Sequence, residues 1–199
     1  MHTNTKLKRL KRWGVCLNTP MNDTYIQHTT HWLSNVIIEK EICPFAKREF
    51  DQHRIHFEVI ESADVQQQLE QLIIQCEALD EDSHRETSLL IFPHGLSDFE
   101  DYLDFLEIAT ELLIKQAYEG IYQLASFHPL YRFDGAAIDD ASNYTNRSPY
   151  PMLHILREES VEKALAHYPD PENIPQRNIE MTRELGLSAM KKLLADCYS

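Results

Sequence analysis

Glycine is scarce. The chain has only five (Gly14, Gly95, Gly120, Gly135, Gly186), and no two are spaced as G-x-G. Walker-type phosphate loops and dinucleotide fingerprints need clustered glycines, so both are excluded. Long apolar runs are also missing. Stretches such as Leu89-Leu90-Ile91-Phe92 are only a few residues long. A membrane-spanning helix needs about 20 apolar residues, so none is expected. The four cysteines (Cys16, Cys43, Cys76, Cys197) are far apart and form no C-x-x-C. With no continuous apolar stretch to act as an export signal near Trp13, Val15 and Leu17, reduced thiols in a cytoplasmic protein are expected.

Basic residues are heavily outnumbered over most of the chain. Residues 1–20 hold five of the 19 basic residues (Lys6, Lys8, Arg9, Lys11, Arg12) and no acid. The rest has 14 basic against 32 acidic residues, a net −18. Such a body repels a phosphate backbone, so no nucleic-acid partner is expected. The basic segment 1–20 is expected to be a disordered tail, and 21–199 a single α/β domain. The 199 residues are 43% hydrophobic and 26% charged, enough for one sizeable core.

Helical spacing of apolar residues predicts helices over about 24–41, 64–80, 98–118, 159–167 and 171–196, the last breaking near Gly186. Ser97 and Glu100 read as a capping box, and Gly120 as the stop of the third helix. Strands are predicted over 53–60, 87–92, 121–127 and 152–156. Strands alternating with helices imply βαβ units. Residues 128–151 contain no helical crossover, so the fourth strand should return antiparallel. The expected fold is α/β: a small mixed sheet of about four strands, three parallel and one antiparallel, covered by helices.

The aperiodic segment 128–151 is too long for a plain connector, and its three tyrosines and three prolines argue for order. Ligands of open α/β sheets bind beyond the carboxyl ends of parallel strands. On that rim we expect His94, His128, Arg132, Asp134 and Arg147 to meet. His128 is the candidate for proton transfer, with Asp134 orienting it. Arg132 and Arg147, with Lys47, are candidates for anion binding, since guanidinium forks suit phosphate and carboxylate. The alternative is that these arginines pair with Asp134, Asp139 or Asp140 inside the loop. Asn143, Asn146, Ser148 and His94 are secondary candidates. Cys43 precedes Pro44, a favoured first helical residue. As an N-cap beside Lys47 and Arg48 it would be a thiolate nucleophile; otherwise it packs under Phe45. His28 and His31, three apart on the first helix, read as a polar face. No metal-ligand spacing such as H-E-x-x-H is present.

Three segments look familiar: Cys43-Pro44-Phe45-Ala46-Lys47, Ser126-Phe127-His128-Pro129 and the run from Asn143 through Arg147 to Pro151. Across about 24–186 the chain resembles a family of uncharacterised bacterial proteins catalogued as a domain of unknown function. The resemblance implies one bacterial domain beginning near residue 21 and carries no activity, cofactor or catalytic residue. The residues themselves favour an enzyme acting on a small phosphate- or carboxylate-bearing metabolite at 128–151. Two other readings stand beside it: a non-catalytic ligand- or protein-binding regulatory module, and a metal-assisted hydrolase using His94, His128, Asp134 and Asp139 or Asp140.

Overall fold

The computed structural model describes residues 20–199. The tail expected over 1–20 lies outside them, apart from Pro20, where the first helix begins. Helix α1 (Pro20–Trp32) runs on into a π-helical turn (Leu33–Ile38), followed by α2 (Ala46–Asp51), β1 (Ile55–Val59), α3 (Val65–Glu81) and β2 (Thr87–Ile91). Then come α4 (Phe99–Lys115), β3 (Tyr122–Phe127), a 3₁₀ turn (Ala141–Thr145) and β4 (Met152–Arg157). The chain ends with α5 (Glu158–Ala166), a 3₁₀ turn (Pro171–Asn173), α6 (Ile174–Leu185) and α7 (Leu187–Asp196). The fold is mixed α/β, with one four-stranded sheet and seven α-helices among the described residues.

The expected parallel trio is corrected. Strand order is β1-β2-β4-β3, and only β1 and β2 pair in parallel. β4 inserts between β2 and β3 and pairs antiparallel with both. Burial explains the order. β2 is buried at every residue, and Met152, Leu153 and Ile155 of β4 are fully buried. β3 buries only Tyr122, so it suits an edge. A central strand must be apolar on both faces, and β2 and β4 are the strands that meet this demand.

The alternation of side chains then defines two cores. Leu90, Phe92, Leu153 and Ile155 pack on one face against Leu72, Cys76 and Leu79 of α3 and Tyr102, Phe105, Ala109 and Leu113 of α4. Leu89, Ile91 and Met152 pack on the other against Trp32, Leu33, Val36 and Ile37, with Met190 and Cys197 behind. Each large side chain removed from water contributes about 1.5–3 kcal/mol, so these two faces carry most of the favourable free energy. Cys76 belongs to the first core as expected, its thiol pushed up to about 12 chiefly by burial.

Several helix ends differ from expectation. Asp98, not Ser97, caps α4: its carboxylate accepts the N–H groups of Glu100 at 2.9 Å and Asp101 at 3.2 Å. Asp64 caps α3 the same way, accepting the Gln67 N–H. α4 stops at Lys115, where Ala117 already takes a left-handed conformation (φ +63°), before Gly120 is reached. The first long helix widens into the π turn and ends at Ile38 rather than continuing to 41. The predicted break of the last helix at Gly186 is found between α6 and α7.

Gly95 follows β2 with φ +91°, and a Cβ there would lie 3.0 Å from the Cα of Ala63, in the loop after β1. Gln68 clamps the same two loops by donating to the carbonyls of Ser62 and His94. Gly120, by contrast, has φ +74° and open space around it. A left-handed backbone costs an alanine about 1–2 kcal/mol, and overpacking adds about 1–3 kcal/mol. Gly95→Ala should therefore lose clearly more stability in urea denaturation than Gly120→Ala. Equal losses would show that the two loops separate freely.

Candidate functional site

The 128–151 segment is folded by its own polar groups. His128 is fully buried. Its Nδ1 accepts the Leu130 N–H at 3.0 Å, and its Nε2 donates to the Leu96 carbonyl at 2.9 Å. That assignment follows from the network, since an N–H can only donate. Burial holds the imidazole below its ordinary pKa, with the Leu96 carbonyl and Asp98 opposing. Both nitrogens are occupied, and the ring packs against Phe99 and Tyr102. Asp134 is not its orienter: it is exposed and its side chain makes no hydrogen bond or ion pair among the described residues.

Arg147 is a strut. Its Nε donates to the Tyr131 carbonyl at 3.1 Å and its Nη2 to the Ile138 carbonyl at 2.8 Å, with the guanidinium over the Tyr144 ring. The Trp32 indole donates to its carbonyl from α1. Asn143, fully buried, accepts the Phe133 N–H and donates to the Ala137 carbonyl. Asn146 donates to the Ser126 carbonyl, and Ser148 to that of Tyr150. Asp140 caps the 3₁₀ turn and pairs with Arg183 of α6, which holds its carboxyl well below the usual range. Arg132 and Asp139 are exposed. His94 is exposed too and meets the Tyr25 ring edge-on. The expected convergence of His94, His128, Arg132, Asp134 and Arg147 is thus not found. Among the described residues, no group of three or more His, Cys, Asp or Glu side chains is placed to hold a metal ion.

Cys43 is not an N-cap. α2 starts at Ala46 with Phe45 as its cap residue. Burial pushes the thiol up, against a smaller opposing effect of the Phe45 and Ala46 N–H groups. Lys47 turns to Asp51 at 2.8 Å and Arg48 to Glu49, so neither cation serves the sulfur. The packing alternative for Cys43 is the one this geometry matches.

Sequence reasoning missed Arg177, in the first turn of α6. Its Nη1 donates to the Tyr168 hydroxyl at 2.7 Å. Its Nη2 donates to the Glu41 carbonyl and the Asn178 side chain. Asn178, buried, donates to the Ile42 carbonyl at 2.7 Å. Tyr168 meets Phe45 edge-on, ring centres 5.7 Å apart. The second half of the chain thereby grips Glu41, Ile42 and Phe45, on both sides of Cys43. Arg177 lines an open cleft of about 160 Å³ together with Tyr168, Pro169, Asp170, Asn173 and Ile174. It has no carboxylate partner among the described residues. Asn173 makes no side-chain cap bond to α6, unlike Asp64 and Asp98 on their helices. A signal did exist in the sequence: cations are disfavoured in a helix's first turn, where the dipole is already positive.

A second missed feature is His28. Its Nδ1 lies 2.6 Å from the Tyr150 hydroxyl, and the two rings stack within 14°. The pair ties α1 to the end of the 128–151 segment.

A protein-family model described as "Protein of unknown function (DUF1415)" matches residues 24–192, and the chain belongs to that family. Comparisons with curated proteins and with solved structures found no match. No helix among the described residues is long and apolar enough to cross a membrane.

His154 of β4 donates from Nε2 to the Thr87 hydroxyl at 2.6 Å, while that hydroxyl donates to the Ile155 carbonyl. Burial lowers its pKa from 6.5 to about 4. The folded state therefore binds its proton more weakly than the unfolded chain. Its contribution is complete above pH 6.5 and is lost as pH falls toward 4, in total about 3 kcal/mol. His154→Gln keeps a donor but no titration. Between pH 7 and pH 4 the unfolding free energy of this variant should fall about 3 kcal/mol less than the parent's. Superimposable pH profiles would contradict the assignment.

Proposed function

We propose that the protein recognises a small phosphate- or carboxylate-bearing metabolite, and that the anchor is Arg177 in the cleft beside the Cys43 segment. The observation that carries this reading is a half-buried guanidinium, lining a cleft, with no carboxylate against it. Such a cation needs a counter-charge, because buried arginine is ordinarily paired. The N-terminus of α6, with no side-chain cap, adds positive potential at the same place. The Tyr168 hydroxyl and Asn173 amide supply neutral hydrogen-bonding groups on the wall. The anionic ligand expected at 128–151 is thus better served here, where the arginine bonds the Glu41 carbonyl, the Tyr168 hydroxyl and the Asn178 side chain but also lines an open cleft.

Charge-assisted contacts to such an anion are worth roughly 1.5–3 kcal/mol. Arg177→Lys loses the planar fork and should weaken binding of inorganic phosphate or acetate at least tenfold in calorimetric titration. Arg147→Lys should leave that affinity within about twofold while lowering the melting temperature. The reading fails if neither anion binds the parent protein, or if the two variants weaken binding alike.

A second reading has its own observation. Leu130 is 58% exposed and Ile138 is 70% exposed, on a segment whose buried polar groups are bonded inward. Rigid loops that display apolar side chains suit docking to another protein. Under this reading, the partner is a second copy of the chain. Sedimentation velocity should then show dimers that Ile138→Asp converts to monomers; a parent that stays monomeric at about 100 μM, where a Kd below that (stronger than about −5.5 kcal/mol) would show, removes this reading.

A further inference from the structure

The cleft holds two opposite charges that do not meet. Asp170 lines it with Arg177, yet its carboxylate makes no hydrogen bond or ion pair among the described residues. Elsewhere Asp140 takes Arg183, and Lys163 takes Glu159. Asp170 is moreover held in a left-handed conformation, φ +54° and ψ +58°, between Pro169 and Pro171. A proline disfavours the helical region for the residue before it, and both prolines remove backbone freedom around the carboxylate. Asp tolerates the left-handed region better than most residues, but the conformation still costs free energy that no cap bond recovers here. A carboxylate held in this way without a partner, in one cleft with an arginine that has no carboxylate partner, gives the cleft both charges. Pro169 and Ile174 add apolar wall to the same cleft, and Tyr168 also lines it.

We infer that the ligand of this cleft is a zwitterion of the α-amino-acid class. Its carboxylate binds the Arg177 guanidinium and the start of α6. Its ammonium binds Asp170, and its side chain lies along Pro169 and Ile174. The inference rests on the anion reading above and adds to it a cation-recognising residue. It also accounts for the acid in an anion site: Asp170 makes simple carboxylates and phosphates weaker ligands of the cleft than zwitterions, without preventing their binding at Arg177.

Matched ligands separate the two statements. L-Alanine, L-leucine and L-phenylalanine are each titrated into the full chain against their deamino acids: propanoate, 4-methylpentanoate and 3-phenylpropanoate. At least one amino acid should bind about tenfold more tightly than its deamino partner, the size expected of one charge-assisted contact. Asp170→Asn should erase that preference with changes of opposite sign: weaker for the amino acid, unchanged or tighter for the deamino acid. A purely structural role for Asp170 would move both ligands in the same direction. Arg177→Lys should weaken both members of each pair. If the deamino acids bind through Arg177 as well as the amino acids do, or if Asp170→Asn leaves the preference in place, the zwitterion inference is overturned and the anion reading survives. If no member of any pair binds in an Arg177-dependent way, both are overturned.

Discussion

Where a segment without regular secondary structure is buried, its amides and carbonyls must find partners, and the buried parts of 128–151, His128 and most of Ala141 to Pro149 above all, pose that demand. It joins the end of β3 to the start of β4 at one edge of the sheet, and without it β4 could not reach the centre. Side chains do what a ladder would otherwise do. Arg147 takes two carbonyls, Asn143 an amide and a carbonyl, Asn146 a carbonyl, and His128 one of each. The five consecutive residues Ala141 to Thr145 are all buried as a result. An unsatisfied buried polar group costs about 1–3 kcal/mol, so deleting any one of these struts forfeits more than a single hydrogen bond. The sheet order, the second core and the position of α6 all depend on this network holding.

That dependence explains what could and could not be read from the chain. The strands were legible because their periodicity is local: the predicted 87–92 and 121–127 overlie Thr87–Ile91 and Tyr122–Phe127. The pairing order was not, because it depends on how buried one strand is relative to another. The density of Arg, Asn, Ser and His in 128–151 was legible as a sign of importance, but its direction was not. The same residue types serve a ligand when they face out and a loop when they face in, and only the fold decides. Arg177 failed to stand out for the opposite reason. It is one arginine on an amphipathic helix, and its meaning comes from Tyr168, Asp170 and the carbonyl of Glu41, which lies more than a hundred residues away.

The net charge of −13 argues against anionic partners at long range, yet an anion site is compatible with it. Salt screens exposed charges beyond about 8 Å at physiological ionic strength. What a small ligand meets is therefore the local charge. At α3, α4 and the 3₁₀ turn, that charge is an aspartate cap that already neutralises the helix amides. At α6 the first turn has no acid and no side-chain cap, and carries Arg177 instead. An acidic surface also lowers the background of non-specific anion binding.

The cleft is not an isolated surface feature, because the groups that form it also fix the Cys43 segment. Arg177 and Asn178 hold the carbonyls of Glu41 and Ile42, and Glu41 sits in a left-handed conformation that those bonds help maintain. Tyr168 leans on Phe45 while accepting from Arg177. A ligand that engages the guanidinium therefore acts on the same atoms that position residues 41–45. Linkage requires the effect to run both ways: any state of that segment that improves the alignment of Arg177 is favoured by the ligand to the same extent. Cys43, its thiol pushed up chiefly by burial, lies within the segment these contacts position, so a ligand at the proposed site would be coupled to its packing.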